Sequence, residues 1–283
     1  MPTGPSFATP TFDHVVVNAR DRLDDAYAAY QRLGFTLTPR GYHSLGSANH
    51  LAVFGTDYLE LIAVTGAQGG RQDILTDPHG LNGLVFGTED SSATFNALAA
   101  NGVPATPPSE FTRPVELPDG TMADARFRTV HIQPTSARPG RLYFCHHFTR
   151  ELVWRDEWRH HANGAVGVLR AVIASNDPAI LGSLFAKMFG DETLRPIEGG
   201  FALAVGVSRI EILRHDIVAA QLGAAAGDIA GRAHYMAVLT LRTLSLDMVR
   251  AALSTGGLTG IEQPGRILVP AALATNCPIE FMP

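Results

Sequence analysis

Strand-like runs recur along the chain, and four of them lead into a polar residue, a helical spacing of apolar positions and a glycine. The first run, HVVVNA, precedes Asp21, then Leu23, Ala26, Tyr27, Tyr30 and Leu33, then Gly34. GLVFGT precedes Asp90, Phe95, Leu98 and Gly102. RAVIAS precedes Asp177, with Pro178 at the first helical position, then Leu181, Leu184, Phe185, Met188 and Gly190. VLTLRT precedes Ser245, then Met248, Val249, Leu253 and Gly256. Asp or Ser accepts bonds from the free amides of a first helical turn, and glycine accepts the left-handed conformation at the exit. These four polar residues are therefore the expected caps, and they fall 69, 87 and 68 residues apart.

Each helix is followed by runs suited to antiparallel strands. They are HLAVFG and YLELIAV, ARFRTVHI and RLYFCHHF, GFALAVG and RIEILRH, and RILVPAA and CPIEFMP. A helix followed by a small meander, four times over, predicts an α+β fold of tandem βαβββ modules. The longer middle interval marks a joint, giving an N-terminal domain over 10–150, a linker over 151–164 and a C-terminal domain over 165–283. The linker, ELVWRDEWRHHANG, holds both tryptophans, Trp154 and Trp158, one helical turn apart, and predicts a short helix pinned by aromatic burial. His160 and His161 there read as structural or solvated. Gly69-Gly70 and Gly199-Gly200 read as turns, and the first ten residues as a frayed tail.

Composition narrows the function classes. A net charge of −5 over 283 residues gives no basic footprint for nucleic acid. No apolar run is long enough to span a membrane; Phe201–Leu213 is interrupted by Arg209 and Glu211. No signal peptide is legible, and Cys145 and Cys277 form no disulfide framework or zinc pair, so a soluble cytoplasmic protein with reduced thiols is expected. Glycine-rich phosphate loops, dinucleotide fingerprints, HExxH and nucleophile elbows are absent from the sequence.

FDHVVVNARDRLDDAYAAYQRLGF with GSANHLAVFGTDYLELIAV resembles the opening of glyoxalase-like domains of the vicinal oxygen chelate superfamily. YFCHHFTRELVW followed by HHANGA resembles a segment of bacterial four-module members. The resemblance implies paired modules curled into a cup, two cups per chain. It also implies a divalent metal chelating vicinal substrate oxygens, with ligands on the first and last strands of two paired modules.

Period-two alternation places Val15 and Val17 under the helix and His14 in the cup; Leu59 and Leu61 likewise leave Glu60 in the cup. His14 and Glu60 are then candidate ligands for Zn, Ni, Mn or Fe, with Glu60 also the candidate catalytic group. The alternative for His14 is a core histidine bonded to a buried carboxylate such as Glu60. Gly83 stands where a second-module histidine is expected, and either His146 or His147, on opposite faces, supplies the last position. His50 is a further candidate. In the second half Arg170 replaces the histidine and pairs with Glu211, as structure or as a carboxylate clamp; Glu280 has Val238 opposite it, and His234 is displaced.

The expected function is metal-assisted lyase or isomerase chemistry on a small oxygenated metabolite. The alternatives are a non-catalytic small-ligand binding or resistance protein and an extradiol ring-cleavage dioxygenase, against which Arg170 argues. A homodimer is compatible with this reading, and the substrate is beyond sequence.

Overall fold

The computed structural model describes residues 7–65, 71–134 and 137–283. The Gly69-Gly70 turn and the start of the N-terminal tail lie outside the described residues. The first half runs β1 (Phe12–Arg20), α1 (Leu23–Arg32), β2 (Gly41–Tyr42), β3 (Ser47–Val53), β4 (Tyr58–Val64) and α2 (Gln72–Thr76). It continues with β5 (Gly80–Gly87), α3 (Ser91–Ala100), β6 (Ser109–Glu116), β7 (Met122–His131) and β8 (Arg141–His147). The second half repeats the scheme with β9 (Ala165–Ser175), α4 (Pro178–Phe189), β10 (Leu194–Ile197), β11 (Gly200–Val205), β12 (Ser208–Arg214) and α5 (His215–Leu222). It ends with β13 (His234–Thr243), α6 (Leu246–Thr255), β14 (Ile261–Gln263), β15 (Arg266–Val269) and β16 (Ile279–Met282).

Each half forms one eight-stranded sheet, ordered β2-β3-β4-β1-β5-β8-β7-β6 and β10-β11-β12-β9-β13-β16-β15-β14. Within a module the first and last strands pair in parallel, and two modules join where their first strands run antiparallel. Four βαβββ units thus make two cups. The α+β architecture expected from the repeat is the one observed.

The capping rule holds at three helices. Asp90 accepts from the amides of Ser92 and Ala93, Asp177 from Ala179 and Ser245 from Asp247. It fails at α1, where Arg22 occupies the cap position with no side-chain bond, so Asp21 is not the cap. The exits use left-handed glycines at Gly34, Gly102 and Gly190; in the fourth unit Gly257, not Gly256, has the positive φ, of 66°. The joint folds as two 3₁₀ turns, Arg150–Leu152 and Asp156–Trp158, instead of one helix. Trp154 is buried there with the Arg150 guanidinium 3.5 Å above its ring. His161 is structural, accepting from the Thr36 amide and donating to the Val53 carbonyl.

Strand parity sorts the side chains as alternation requires. Val15, Val17, Leu59 and Leu61 lie in the large core beneath the helices, while Val16, Leu51, Tyr58 and Ile62 line the first cup. The large core is continuous between halves: Phe86 packs against Phe189 with ring centres 4.9 Å apart, and Phe35 against Phe281 at 6.1 Å. Burial of such rings is the principal stabilisation, so the two sheets share one hydrophobic interior.

The two cups differ in what fills them. In the second, α5 drops Val218 and Leu222 onto Val172, Ala174 and Leu213, covering the concave face. In the first, α2 contributes Ile74, and a narrow cleft with a cavity volume of about 50 Å³ stays open.

Candidate functional site

The first cup gathers its polar groups on β1, β3, β4, β6, β7 and β8 above an apolar floor. His14 lies on β1, flat against Tyr58 of β4 with ring centres 4.3 Å apart. Its Nε2 is 3.7 Å from Glu60 Oε2 and 3.0 Å from the Tyr143 hydroxyl of β8. All three residues are buried.

Asp13 fixes the orientation of His14. Between Phe12 and His14 the pairing advances two residues on β1 and one on β5, so Asp13 sits in a β-bulge. Its carboxylate thereby reaches its own neighbour, and His14 Nδ1 donates to Asp13 Oδ1 at 2.6 Å. His147 Nε2 donates to the same oxygen at 2.9 Å. Burial works against ionising Asp13, but His147 and His14 outweigh it and hold the carboxyl well below the usual range. An ionised Asp13 only accepts, so both rings must donate to it, which leaves the lone pair of a neutral His14 on Nε2, facing the cup.

Glu60 is held similarly. Burial raises its carboxyl, yet His43, His14, a bond from Asn49 and Arg141 bring it below its ordinary value, so it is a carboxylate at neutral pH. Asn49 Nδ2 donates to Glu60 Oε1 at 2.7 Å. Burial drives His43 down to about 4, Arg113 and Arg71 adding to the effect against Glu60, so its ring is neutral, with Nε2 3.9 Å from Glu60 Oε1. His131 of β7, stacked on Tyr143 at 4.5 Å, is driven to about 3 by burial and by Arg141 and Arg71. Burial keeps the Tyr143 phenol protonated, far above its ordinary range.

The structure brings His14 and Glu60 together and attaches His147 to them through Asp13. His146 falls on the opposite face of β8, with Phe148 4.4 Å from its ring, and His50 lies under α1 against Tyr27 at 4.4 Å. Neither lines the cup. In the second half Arg170 donates to Glu211 at 2.8 Å, to Glu280 at 3.0 Å and to Thr240 at 3.1 Å. Arg266 bonds the other oxygen of Glu280 at 2.6 Å. Every nitrogen of Arg170 is thus engaged inside a cup already covered by α5, which makes a packed ionic network and not an open site.

Sequence reading passed over Asp13, Asn49, Tyr143 and the arginines Arg71, Arg113 and Arg141 that line or edge this cup. Strict alternation sends Asp13 to the helix side, and only the bulge brings it back. Arg113 lies on β6, whose Phe111, Arg113 and Val115 alternate onto the cup face. That period was legible, but Pro114 beside it reads as a strand breaker; β6 is an edge strand, where proline is tolerated.

The profile of the glyoxalase-like domain matches residues 12–189, well over half of the chain. The chain belongs to the glyoxalase-like domain family, within the vicinal oxygen chelate superfamily. Among curated proteins none matches this glyoxalase-like chain. A hypothetical protein from Staphylococcus aureus shares the fold, with a TM-score of 0.68 at 13% identity over 96% of this chain and 99% of that one. A mutant of 4-hydroxymandelate synthase from Streptomyces coelicolor aligns with a TM-score of 0.57 at 11% identity, over 96% and 92% of the two chains. A xylose isomerase-like TIM barrel/4-hydroxyphenylpyruvate dioxygenase fusion protein aligns at 0.58 and 10% identity, over 98% of this chain and 49% of that one. At these identities the structures show a common fold.

Members of the superfamily commonly bind a metal between the first and last strands of two modules, so those positions test the fit in this glyoxalase-like chain. Val16 pairs with Glu60 as Val85 pairs with Tyr143, which makes Tyr143 the counterpart of Glu60 and Gly83 that of His14. A side chain at Gly83 is excluded, because its Cβ would lie 2.7 Å from Val16 Cβ. Tyr143 stays a neutral phenol. Two of the four positions are therefore donors. The 3.7 Å between His14 Nε2 and Glu60 Oε2 suits two bonds of about 2.1 Å to one ion, so the pair fits a divalent metal with two protein ligands, short of the usual three. Asp13, His14 and His147 also gather within 4.8 Å, but both imidazoles already spend a proton on Asp13 there.

Proposed function

We propose that the chain is an enzyme of lyase or isomerase type that moves a proton on a small oxygenated metabolite bound in the N-terminal cup. The observation that carries this is the approach of His14 Nε2 to Glu60 Oε2 in the one cup left open by its helices. Asp13 holds His14 with its lone pair toward the substrate, as the orienting carboxylate of an acid–base pair does. A proton leaves a carbon next to the substrate carbonyl for the His14–Glu60 pair, and the C–H electron pair passes to the carbonyl oxygen as an enolate. The protonated, buried Tyr143 hydroxyl, which bonds His14 Nε2 at 3.0 Å, turns its hydrogen from that nitrogen to the new oxygen as the substrate binds. Where the deprotonated carbon carries a hydroxyl, that hydroxyl passes its proton to the enolate oxygen and becomes the new carbonyl. The proton held by His14 and Glu60 is then delivered to the former carbonyl carbon, completing an isomerisation. Where the next carbon on the other side carries a leaving group, the carbonyl re-forms and that group departs with its bonding electrons, completing a lyase reaction.

His14 and Glu60 would also be the residues to hold a divalent metal, Zn, Ni, Mn or Fe. Such an ion supplies Lewis-acid polarisation of vicinal oxygens when bound. Metal analysis of the purified protein beside His14→Ala tests it, and stability indifferent to divalent metals would remove that part of the reading. The proton transfer is tested separately by solvent deuterium exchange into small 2-oxo and 2-hydroxy metabolites, followed by NMR. Exchange that disappears in both His14→Ala and Glu60→Gln supports the proposal. Exchange that survives both substitutions, or none with any compound, overturns it.

A second reading is favoured by the missing donors at Gly83 and Tyr143: a protein that sequesters a ligand without turnover. Tight binding of a ligand recovered unaltered distinguishes it. Extradiol cleavage is not adopted, because Arg170 occupies an expected histidine position and is saturated by Glu211, Glu280 and Thr240.

A further inference from the structure

Three arginines, Arg71, Arg113 and Arg141, line the open cup, and their ionic partners are unequal. Arg71 makes a bidentate pair with Asp73, at 2.8 and 2.7 Å, and Arg141 reaches the same carboxylate at 3.6 Å. Asp73 thus serves two cations at the cup's edge, and it is half exposed, with a carboxyl held at about 2: burial raises it, but the Arg71 bond and Arg141 outweigh that. Arg113 is different. It is 5% exposed, and among the described residues no carboxylate lies within ion-pair distance of it. Burial pulls its guanidinium below its ordinary value, although Glu60 attracts it from farther off. Its one hydrogen bond from Nη1, to Asn49 Oδ1, is long at 3.4 Å, and its buried Nε has no partner.

A buried guanidinium without a counter-ion is costly unless something pairs with it. The free N–H groups of Arg113 form a planar fork, the geometry that takes a carboxylate through two parallel bonds. Around it the cup is apolar and aromatic, with Phe111, Phe127, Leu51 and Ile62. Neutral His43 and His131 add no competing charge.

We infer that Arg113 is the anion anchor of the cup, and that its ligand is a small carboxylate carrying an apolar body. Its carboxylate pairs with the Arg113 fork, its body lies on Phe111 and Phe127, and its oxygenated carbon is turned toward His14 and Glu60. This names the substrate class for the site proposed above and rests on that reading for the last step only; anion capture by Arg113 stands without it.

The probes are phenylacetate and phenylacetamide, equal in shape and differing in charge, with inorganic phosphate as a third arm, titrated calorimetrically into the full chain. Phenylacetate is expected to bind about tenfold or more tighter than the amide and than phosphate, and to weaken as salt rises. Arg113→Met, which keeps the bulk of the side chain, is expected to erase that preference, and Arg113→Lys to restore part of it. His146→Ala, on the opposite face of β8, is expected to leave phenylacetate affinity within about threefold. Because calorimetry needs no turnover, a failed proton transfer and a failed anion site give separate signatures. Equal affinity for acid and amide in the native chain, binding of neither, or tighter binding of phosphate overturns the inference, whether or not the variants fold.

Discussion

Asp13 bonds the side chain of His14, the next residue along the same strand, at 2.6 Å. Adjacent strand residues ordinarily face opposite ways, so the contact exists because of the bulge at Asp13. Asp13→Asn keeps the shape and removes the charge that sets the His14 tautomer. Activity is expected to fall about 10- to 100-fold, as for orienting partners of functional histidines. The depressed Asp13 carboxyl adds a stability term that is present above pH 3.8, its ordinary value, and is lost as the pH falls below it. Acid titration of unfolding in the variant is expected to show a weaker loss.

Glu60→Gln preserves an acceptor for the Asn49 bond while removing the carboxylate. Proton exchange is expected to drop by roughly 10²- to 10⁴-fold, with fold and melting temperature close to native. A drop in stability without loss of exchange would assign Glu60 to packing alone.

Asp57 lies at the contact between halves, where its Oδ1 accepts from the Val168 amide at 2.9 Å. Burial pushes its carboxyl up to about 7, Asp13 adding to the rise, while the Val168 and Thr56 bonds and Arg242 oppose it. Between pH 3.8 and about 7 the folded chain therefore retains a proton that the unfolded chain has released. Stability falls as pH rises across that window and levels off above it. Asp57→Asn removes this slope, so the difference in unfolding free energy between variant and native chain should favour the variant increasingly from pH 4 to pH 7.

Arg170→Met leaves Glu211 with Arg209, and Glu280 with Arg266 and the Thr240 hydroxyl. Because each carboxylate keeps a counter-ion, a cost of about 1–3 kcal/mol in stability is expected, measured by denaturant unfolding, with ligand affinity in the first cup unchanged. Loss of ligand binding at full stability would instead make the second cup a site.

What the sequence made legible was whatever repeats. Candidate caps, exit glycines and strand parity recur four times along the sequence, with the cap failing only at α1 and the exit shifted by one residue after α6. The modules, the cups and the inward positions of His14 and Glu60 could therefore be read directly. What escaped depends on single exceptions to those rules: the bulge at Asp13 and the proline-bearing edge strand that presents Arg113. The choice between His146 and His147 was open because both neighbours lie on one strand. The chain continues past Tyr143 and Cys145 on the cup face, so His147 shares that face, and it bonds Asp13.

Gly83 has a consequence for how this cup can change. A histidine there meets Val16 before it can reach the cup, because the two backbones pass too closely for a Cβ. A third metal donor at that position therefore requires two coordinated substitutions, one of which alone opens a void in the cup floor and the other alone forces the strands apart. Neither single step is a gain, so packing against Val16 holds this strand back from supplying a third metal ligand.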